Sequence, residues 1–219
     1  MITVHHLNQS RSLRIVWMLE ELALPYQLVR YQREPTLLAP VSLKEIHPLG
    51  KSPVIVDDGL VLAESGAILE YLVEQYDPQQ QFMPRQADVR QQARYWLHYA
   101  EGSLMPLLVM RLIFNRLGKA PTPWLLRPAG RMLEQGIRKG YLDRQLKNHQ
   151  QFIEQHLGEQ RWFAGDHFTI ADVQMSFPLQ ALMARHGQSE NIQAWLDKIA
   201  QRDAWQRAIL RAGKIDLSE

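Results

Sequence analysis

The spacing of apolar positions divides the chain into two stretches of different period. Over residues 2–76, runs with strand character are interleaved with runs at helical spacing. Ile2 to His6 sets Ile2, Val4 and His6 against Thr3 and His5, the two-residue period of a strand. RSLRIVWMLEEL, residues 11–22, has helical spacing, with Ser10 placed to cap it and Pro25 just past its end. YQLVRY at 26–31 suits a second strand, and 43–46 a short, weak helix. Val54-Ile55-Val56 and Leu60-Val61-Leu62 flank Asp58-Gly59, the signature of a two-residue type I′ hairpin. AILEYLVEQY at 67–76 is another helix, stopped by Asp77-Pro78. The predicted order β-α-β-α-β-β-α joins a parallel pair through a helix and adds a hairpin edge. That makes an α/β sheet with helices on both faces.

DPQQQFMPRQAD, residues 77–88, is rich in Pro and Gln and reads as a linker. Beyond it strand signals nearly vanish, and 89–117, 124–157, 170–186 and 191–209 are all helix-like. The predicted division is therefore an α/β domain at 1–76, a linker at 77–88 and an all-helical domain at 89–219. One helix start is especially clear. Thr169 and Asp172 have capping-box spacing, with Asp in place of Glu, and Phe168 and Val173 hold the staple positions.

Composition narrows the function classes. The chain has 219 residues, 46% of them hydrophobic, enough for a packed core. Its longest apolar run, 104–114, is broken by Pro106 and Arg111 and is about half the ~20 residues a bilayer span requires. No secretory signal is evident at the N-terminus. There is no Cys, which excludes disulfides, thiolate metal sites and a thiol nucleophile on the protein. These features point to a cytoplasmic protein. A net charge of +2 supplies no global field for nucleic acid, and Arg127, Arg131, Arg138 and Arg144 are interleaved with acidic residues as on a solvated helix face.

Two local patterns resemble sites without being them, and a third is absent. Gly50-Lys51-Ser52 has the end of a phosphate-binding loop, but Glu45 stands where its first Gly belongs. Pro53 then holds Ser52 extended and a strand follows, so the nucleotide reading fails. His5 and His6 adjoin on a strand and point to opposite faces, which suits core or surface roles and no metal pair. No Ser lies in a Gly-x-Ser-x-Gly elbow, which argues against a serine hydrolase.

Four segments in order, NQSRSLRIVWMLEEL at 8–22, Ser52-Pro53, Glu64-Ser65 with the following GAILEYL, and FAGDHFTIADV at 163–173, resemble the cytosolic glutathione transferases. The resemblance covers essentially the whole chain, and its first segment is similar to the serine-type site of bacterial, theta/beta-like members. It implies a thioredoxin-like N-terminal domain followed by an all-α helical-bundle domain. It also implies a homodimer that uses reduced glutathione as cosubstrate, with no further cofactor and no metal. Pro53 would be cis, offering the backbone N–H and C=O of Ser52 to the cysteinyl backbone of glutathione, a strand addition at a sheet edge. Lys51 would meet the glycine carboxylate. Ser65 would bind the γ-glutamyl carboxylate at a helix N-terminus, with Glu64 facing the adjacent ammonium. Glu101 would reach the γ-glutamyl ammonium of the neighbouring subunit.

The resemblance makes Ser10 the thiolate stabiliser, since serine-type relatives place the active serine four residues before an Arg, as Ser10 precedes Arg14. A free thiol has a pKa near 8.5, and lowering it by about two units takes roughly 2.7 kcal/mol. A hydroxyl donating to the anion supplies about 1.5–3 kcal/mol. A helix first turn adds about 0.3–1 kcal/mol. Ser10 then acts as neither nucleophile nor proton acceptor; Asn8, Ser12 and Arg11 are the alternatives for contact with sulfur. The expected reaction joins glutathione to a hydrophobic electrophile held between the domains. Met105, Leu108, Met110, Arg111, Phe114 and Trp124 suit such a pocket or simply the core, and none is assigned individually. Reduction of organic hydroperoxides at the same site, or a non-catalytic binding or regulatory role on the same fold, are the alternative functions.

Overall fold

The computed structural model describes residues 1–34 and 38–217; the last two residues of the predicted helical domain lie outside them. The first half runs β1 (Ile2–Leu7), α1 (Leu13–Glu21), β2 (Tyr26–Tyr31), α2 (Ser42–Ile46), β3 (Val54–Asp57), β4 (Leu60–Ala63) and α3 (Ser65–Tyr76). The sheet order is β2-β1-β3-β4, with β1 and β2 parallel and the other neighbours antiparallel. Asp58 at φ 45° and Gly59 at φ 88° make the positive-φ hairpin turn that their sequence predicts. A thioredoxin-like domain results.

Helices account for the rest: α4 (Ala87–Tyr99), α5 (Met105–Phe114), α6 (Arg127–Ile137), α7 (Asp143–Glu159), α8 (Ile170–Arg185), α9 (Glu190–Ala200) and α10 (Asp203–Ala212). No helix among the described residues is long and apolar enough to cross a membrane. The two halves share one core. Residues 13–20 of α1 are all buried, because α1 packs against α3 of its own half and against α8 and α10 of the other. The segment predicted as a linker is docked as well: Phe82 is buried, and its carbonyl accepts from the Ile170 N–H at 3.0 Å.

Several predicted boundaries change, and among them the run at 124–157 is divided into α6 and α7 by a π turn at Arg138–Leu142. Ser10 does not cap α1; the helix starts at Leu13, with Ser12 at the cap position, itself in helical geometry. The Ser10 hydroxyl instead accepts from the Ser12 N–H at 3.2 Å, closing a tight turn ahead of the helix. The run at 89–117 is interrupted by a wide π turn at Ala100–Leu104. Pro106 follows directly, lacking an N–H and crowding the carbonyl four residues back, so a regular helix does not continue through it. The run at 191–209 breaks at Arg202, which is extended between α9 and α10. Its guanidinium makes two bonds to Glu21 at 2.6 and 2.7 Å and lies 3.9 Å over the Phe168 ring.

The capping box at α8 is present and does more than start a helix. The Asp172 carboxylate is fully buried and accepts from the Thr169 N–H at 2.9 Å, the Phe163 N–H at 3.0 Å and the Trp195 indole at 3.3 Å. Burial pushes its carboxyl up to about 6, with these donors pulling the other way. It is therefore ionised at neutral pH, and its removal strands several buried donors at once. We expect Asp172→Ala to cost about 3 kcal/mol or more, read from the urea midpoint, and Thr169→Ala only about 1 kcal/mol through the cap.

Candidate functional site

The end of β1 and the start of α1 form a small buried polar cluster between the sheet and α10. The β1–β3 ladder ends at the pair His5–Val54. Beyond it the Ser52 side chain takes over, its hydroxyl donating to the His5 carbonyl at 2.8 Å and accepting from the Leu7 N–H at 3.2 Å. The Ser52 backbone thus lies outside the ladder, and the Ser52–Pro53 peptide is cis. Next to it, the Ser10 and Ser12 hydroxyls are 2.7 Å apart. Ser12 is also 2.8 Å from His6 Nδ1 and 3.3 Å from the Leu7 carbonyl. The other ring nitrogen of His6 lies 3.0 Å from the Ala212 carbonyl at the end of α10. Burial is the main influence holding His6 below its ordinary pKa.

A second cluster ties α1 and α3 to the helical half. The Arg14 guanidinium is fully buried and donates to Glu101 at 2.7 Å and to the Gln174 carbonyl at 2.9 Å. That carbonyl is free because Pro178, four residues later inside α8, has no N–H to offer it. Burial lowers Arg14 to about 10 while Glu101 acts in the opposite direction, so it stays charged. The other Glu101 oxygen lies 3.3 Å from Arg11. The Gln174 side chain crosses between the halves and donates to the Ser65 hydroxyl at 3.3 Å, which leaves the Ser65 hydrogen available to an acceptor.

The proposed site residues fall around these clusters. Ser65 is buried at the first turn of α3, and Glu64 immediately before it has φ 69°. A non-glycine residue there carries strain on the order of 1–3 kcal/mol, a common mark of a functional turn. The side chains of Lys51 and Glu64 are exposed and make no ion pair among the described residues. Asn8 accepts from the Arg33 N–H at 2.7 Å. Glu101 is held by two arginines of its own chain. Of the electrophile-pocket candidates, Met105 and Leu108 are core, Arg111 pairs with Asp143 at 2.9 Å, and Trp124 is 73% exposed. Sequence reasoning missed Gln174, whose signal was a long polar residue among positions of α8 that are buried on every side. It also treated His6 as a residue without chemistry.

Known proteins resemble this chain along nearly its whole length. Residues 1–74 match the family described as Glutathione S-transferase, N-terminal domain, and residues 124–203 the one described as Glutathione S-transferase, C-terminal domain. Glutathione S-transferase 3 of Schizosaccharomyces pombe is 40% identical over 209 residues, covering 93% of this chain and 85% of the relative. Glutathione S-transferase 1 of Saccharomyces cerevisiae is 34% identical over 215 residues, covering 93% and 92%. A crystal structure of a glutathione S-transferase from Actinobacillus pleuropneumoniae superposes with a TM-score of 0.84 at 34% identity, covering all of this chain and 96% of that one.

Arg14 is the residue on which the second cluster turns. Arg14→Ala leaves Glu101 half paired and the Gln174 carbonyl unmet, and we expect a loss of about 3–5 kcal/mol in chemical denaturation. Arg14→Lys should recover only part of it, since one ammonium cannot span both acceptors in the geometry of a guanidinium fork.

Proposed function

Because the chain belongs to the glutathione S-transferase family, we propose that it binds reduced glutathione at the two clusters and transfers it to hydrophobic electrophiles, with Ser10 stabilising the thiolate. The observation that carries this reading is the chain of contacts that links the proposed residues: Ser52 and Ser12 both bond to the Leu7 backbone, Ser12 meets Ser10, and Gln174 joins Ser65 to Arg14 of α1. The Ser52 backbone, outside the ladder, pairs with the cysteinyl backbone of the tripeptide. Ser65 and the N-terminus of α3 receive the γ-glutamyl carboxylate, where unpaired N–H groups and the helix dipole favour an anion. Glu64 is exposed beside it for the ammonium, and Lys51 for the glycine carboxylate.

Ser10 sits at the turn into α1, so a bound cysteinyl sulfur meets both a hydroxyl and the positive end of a helix. The thiolate then attacks the electrophilic carbon, and its electron pair forms the new carbon–sulfur bond. As it does, a leaving group departs with its own bonding pair, or a carbon–carbon π bond opens onto the neighbouring carbon, which then takes a proton from water. The working unit is a cytoplasmic homodimer without metal or further cofactor. In that assembly Glu101, whose two oxygens are paired with Arg14 and Arg11, offers its remaining lone pairs to the γ-glutamyl ammonium of the glutathione bound in the neighbouring subunit.

An ultraviolet difference titration of the glutathione complex tests the activation step. The bound thiolate band should appear well below the free thiol's pKa near 8.5. Ser10→Ala should move that midpoint up and slow transfer to a model electrophile by roughly 10–100-fold, with calorimetric affinity for glutathione little changed. Ser65→Ala should do the reverse, weakening glutathione binding about tenfold with little change in the midpoint. A bound thiol that remains protonated in the wild type would sink the Ser10 role and favour a non-catalytic binding protein.

A further inference from the structure

We propose that His6 takes up the proton that glutathione's thiol gives up, relayed through Ser10 and Ser12, and so turns both hydroxyls toward the sulfur. This rests on the reading of Ser10 above as thiolate stabiliser and changes it in one respect: Ser10, expected to accept no proton, here takes one from sulfur as it passes its own to Ser12. His6 acts only through the two serines and is a positioning residue.

Donor accounting carries the inference. A carbonyl only accepts, so the His6 Nε2 facing Ala212 at 3.0 Å bears a hydrogen. In a neutral ring Nδ1 is then a bare acceptor, and the Ser12 hydroxyl at 2.8 Å must donate to it. With that hydrogen spent, the 2.7 Å contact between the two serines is made by Ser10 donating to Ser12. The Ser12 N–H, at 3.2 Å, also points at the Ser10 oxygen. With neutral His6, therefore, the Ser10 hydrogen is directed inward and is withheld from any sulfur. An imidazolium reverses the chain. Nδ1–H donates to Ser12, Ser12 donates to Ser10 or to the Leu7 carbonyl at 3.3 Å, and the Ser10 hydrogen is released outward.

The transfer balances. The S–H bond breaks as its proton passes to the Ser10 oxygen, the Ser10 proton passes to Ser12, and the Ser12 proton to His6 Nδ1. One S–H bond is lost and one N–H bond is formed. Each serine still carries one hydrogen, and sulfur keeps the electron pair. The products are a thiolate at the N-terminal end of α1 and an imidazolium at the C-terminal end of α10, each at the helix end that favours its charge.

The surroundings of His6 suit a resting neutral ring that charges only with a partner anion. Burial and Arg30 on β2 disfavour the cation, and the Ala212 carbonyl favours it. Arg30 itself donates to the Arg211 carbonyl. His5, on the opposite face of β1, bonds to the Tyr31 hydroxyl at 2.9 Å, and no carboxylate forms an ion pair with His6 among the described residues. The partner anion is the thiolate.

Nitrogen-15 spectra of the imidazole rings at neutral pH test this in the wild-type protein, with glutathione and with S-methylglutathione, which has no thiol proton. The His6 ring should become imidazolium with glutathione and stay neutral with S-methylglutathione. His6→Gln, whose amide can replace both hydrogen bonds but takes no proton, should bind glutathione within about threefold of wild type. Its thiolate midpoint should rise by about one to two units. A full thiolate band with His6 still neutral in the wild type would overturn the relay and leave the Ser10 reading standing. Absence of the thiolate band, or of glutathione binding, would overturn both.

Discussion

The buried guanidinium of Arg14 is the interaction on which the two halves of this protein depend. A charge that is fully out of water is tolerated only where acceptors surround it, and here one comes from the π turn after α4 and the other from the second turn of α8. The acceptor in α8 exists because Pro178 breaks the ladder there and frees the Gln174 carbonyl. A proline that would weaken an isolated helix thus becomes the socket for an arginine from another domain. The same Gln174 extends its side chain to Ser65, so the helix start proposed to bind the γ-glutamyl carboxylate is braced by the residue that holds Arg14.

A similar logic ties the C-terminal helix to the first strand. Arg202 and Arg207 of the helical half bond to Glu21 and Glu20 of α1, at 2.6–2.8 Å, and Arg211 adds a contact to Glu20 at 3.2 Å. These pairs lie at a partly buried seam and hold α10 where its last carbonyl meets His6. The position of a helix near the end of the chain therefore decides which nitrogen of a histidine near its beginning carries the hydrogen. Through two serines it also decides which way the proposed catalytic hydroxyl points.

The chemistry assigned to the site follows from where charge is allowed to develop. The interior supplies a neutral imidazole, two hydroxyls and two helix ends of opposite sign, and no carboxylate forms an ion pair with His6 among the described residues. Such a setting gains little from a charged base at rest. It does favour a thiolate and an imidazolium that appear together.

Period and spacing alone determined the order of elements in the first half, the Asp58-Gly59 turn, the capping box at Thr169 and the succession of helices after residue 86, because these depend on contacts within a few residues. Motif order likewise identified the family and the candidates at positions 10, 52, 53, 64 and 65. The break at Arg202 was decided only by tertiary structure, since its guanidinium answers to Glu21 from far along the chain. The start of α1 and the π turn carrying Glu101 instead follow nearer groups, Ser12 and Pro106, that helical period does not weigh. Ser10 reads as a helix cap until His6 and Ser12 claim the hydroxyls around it, and Gln174 reads as an ordinary helical polar residue until Arg14 and Ser65 arrive from the other domain. Local propensity is written in neighbours, whereas the direction of a hydrogen bond in the core belongs to residues separated by more than a hundred positions.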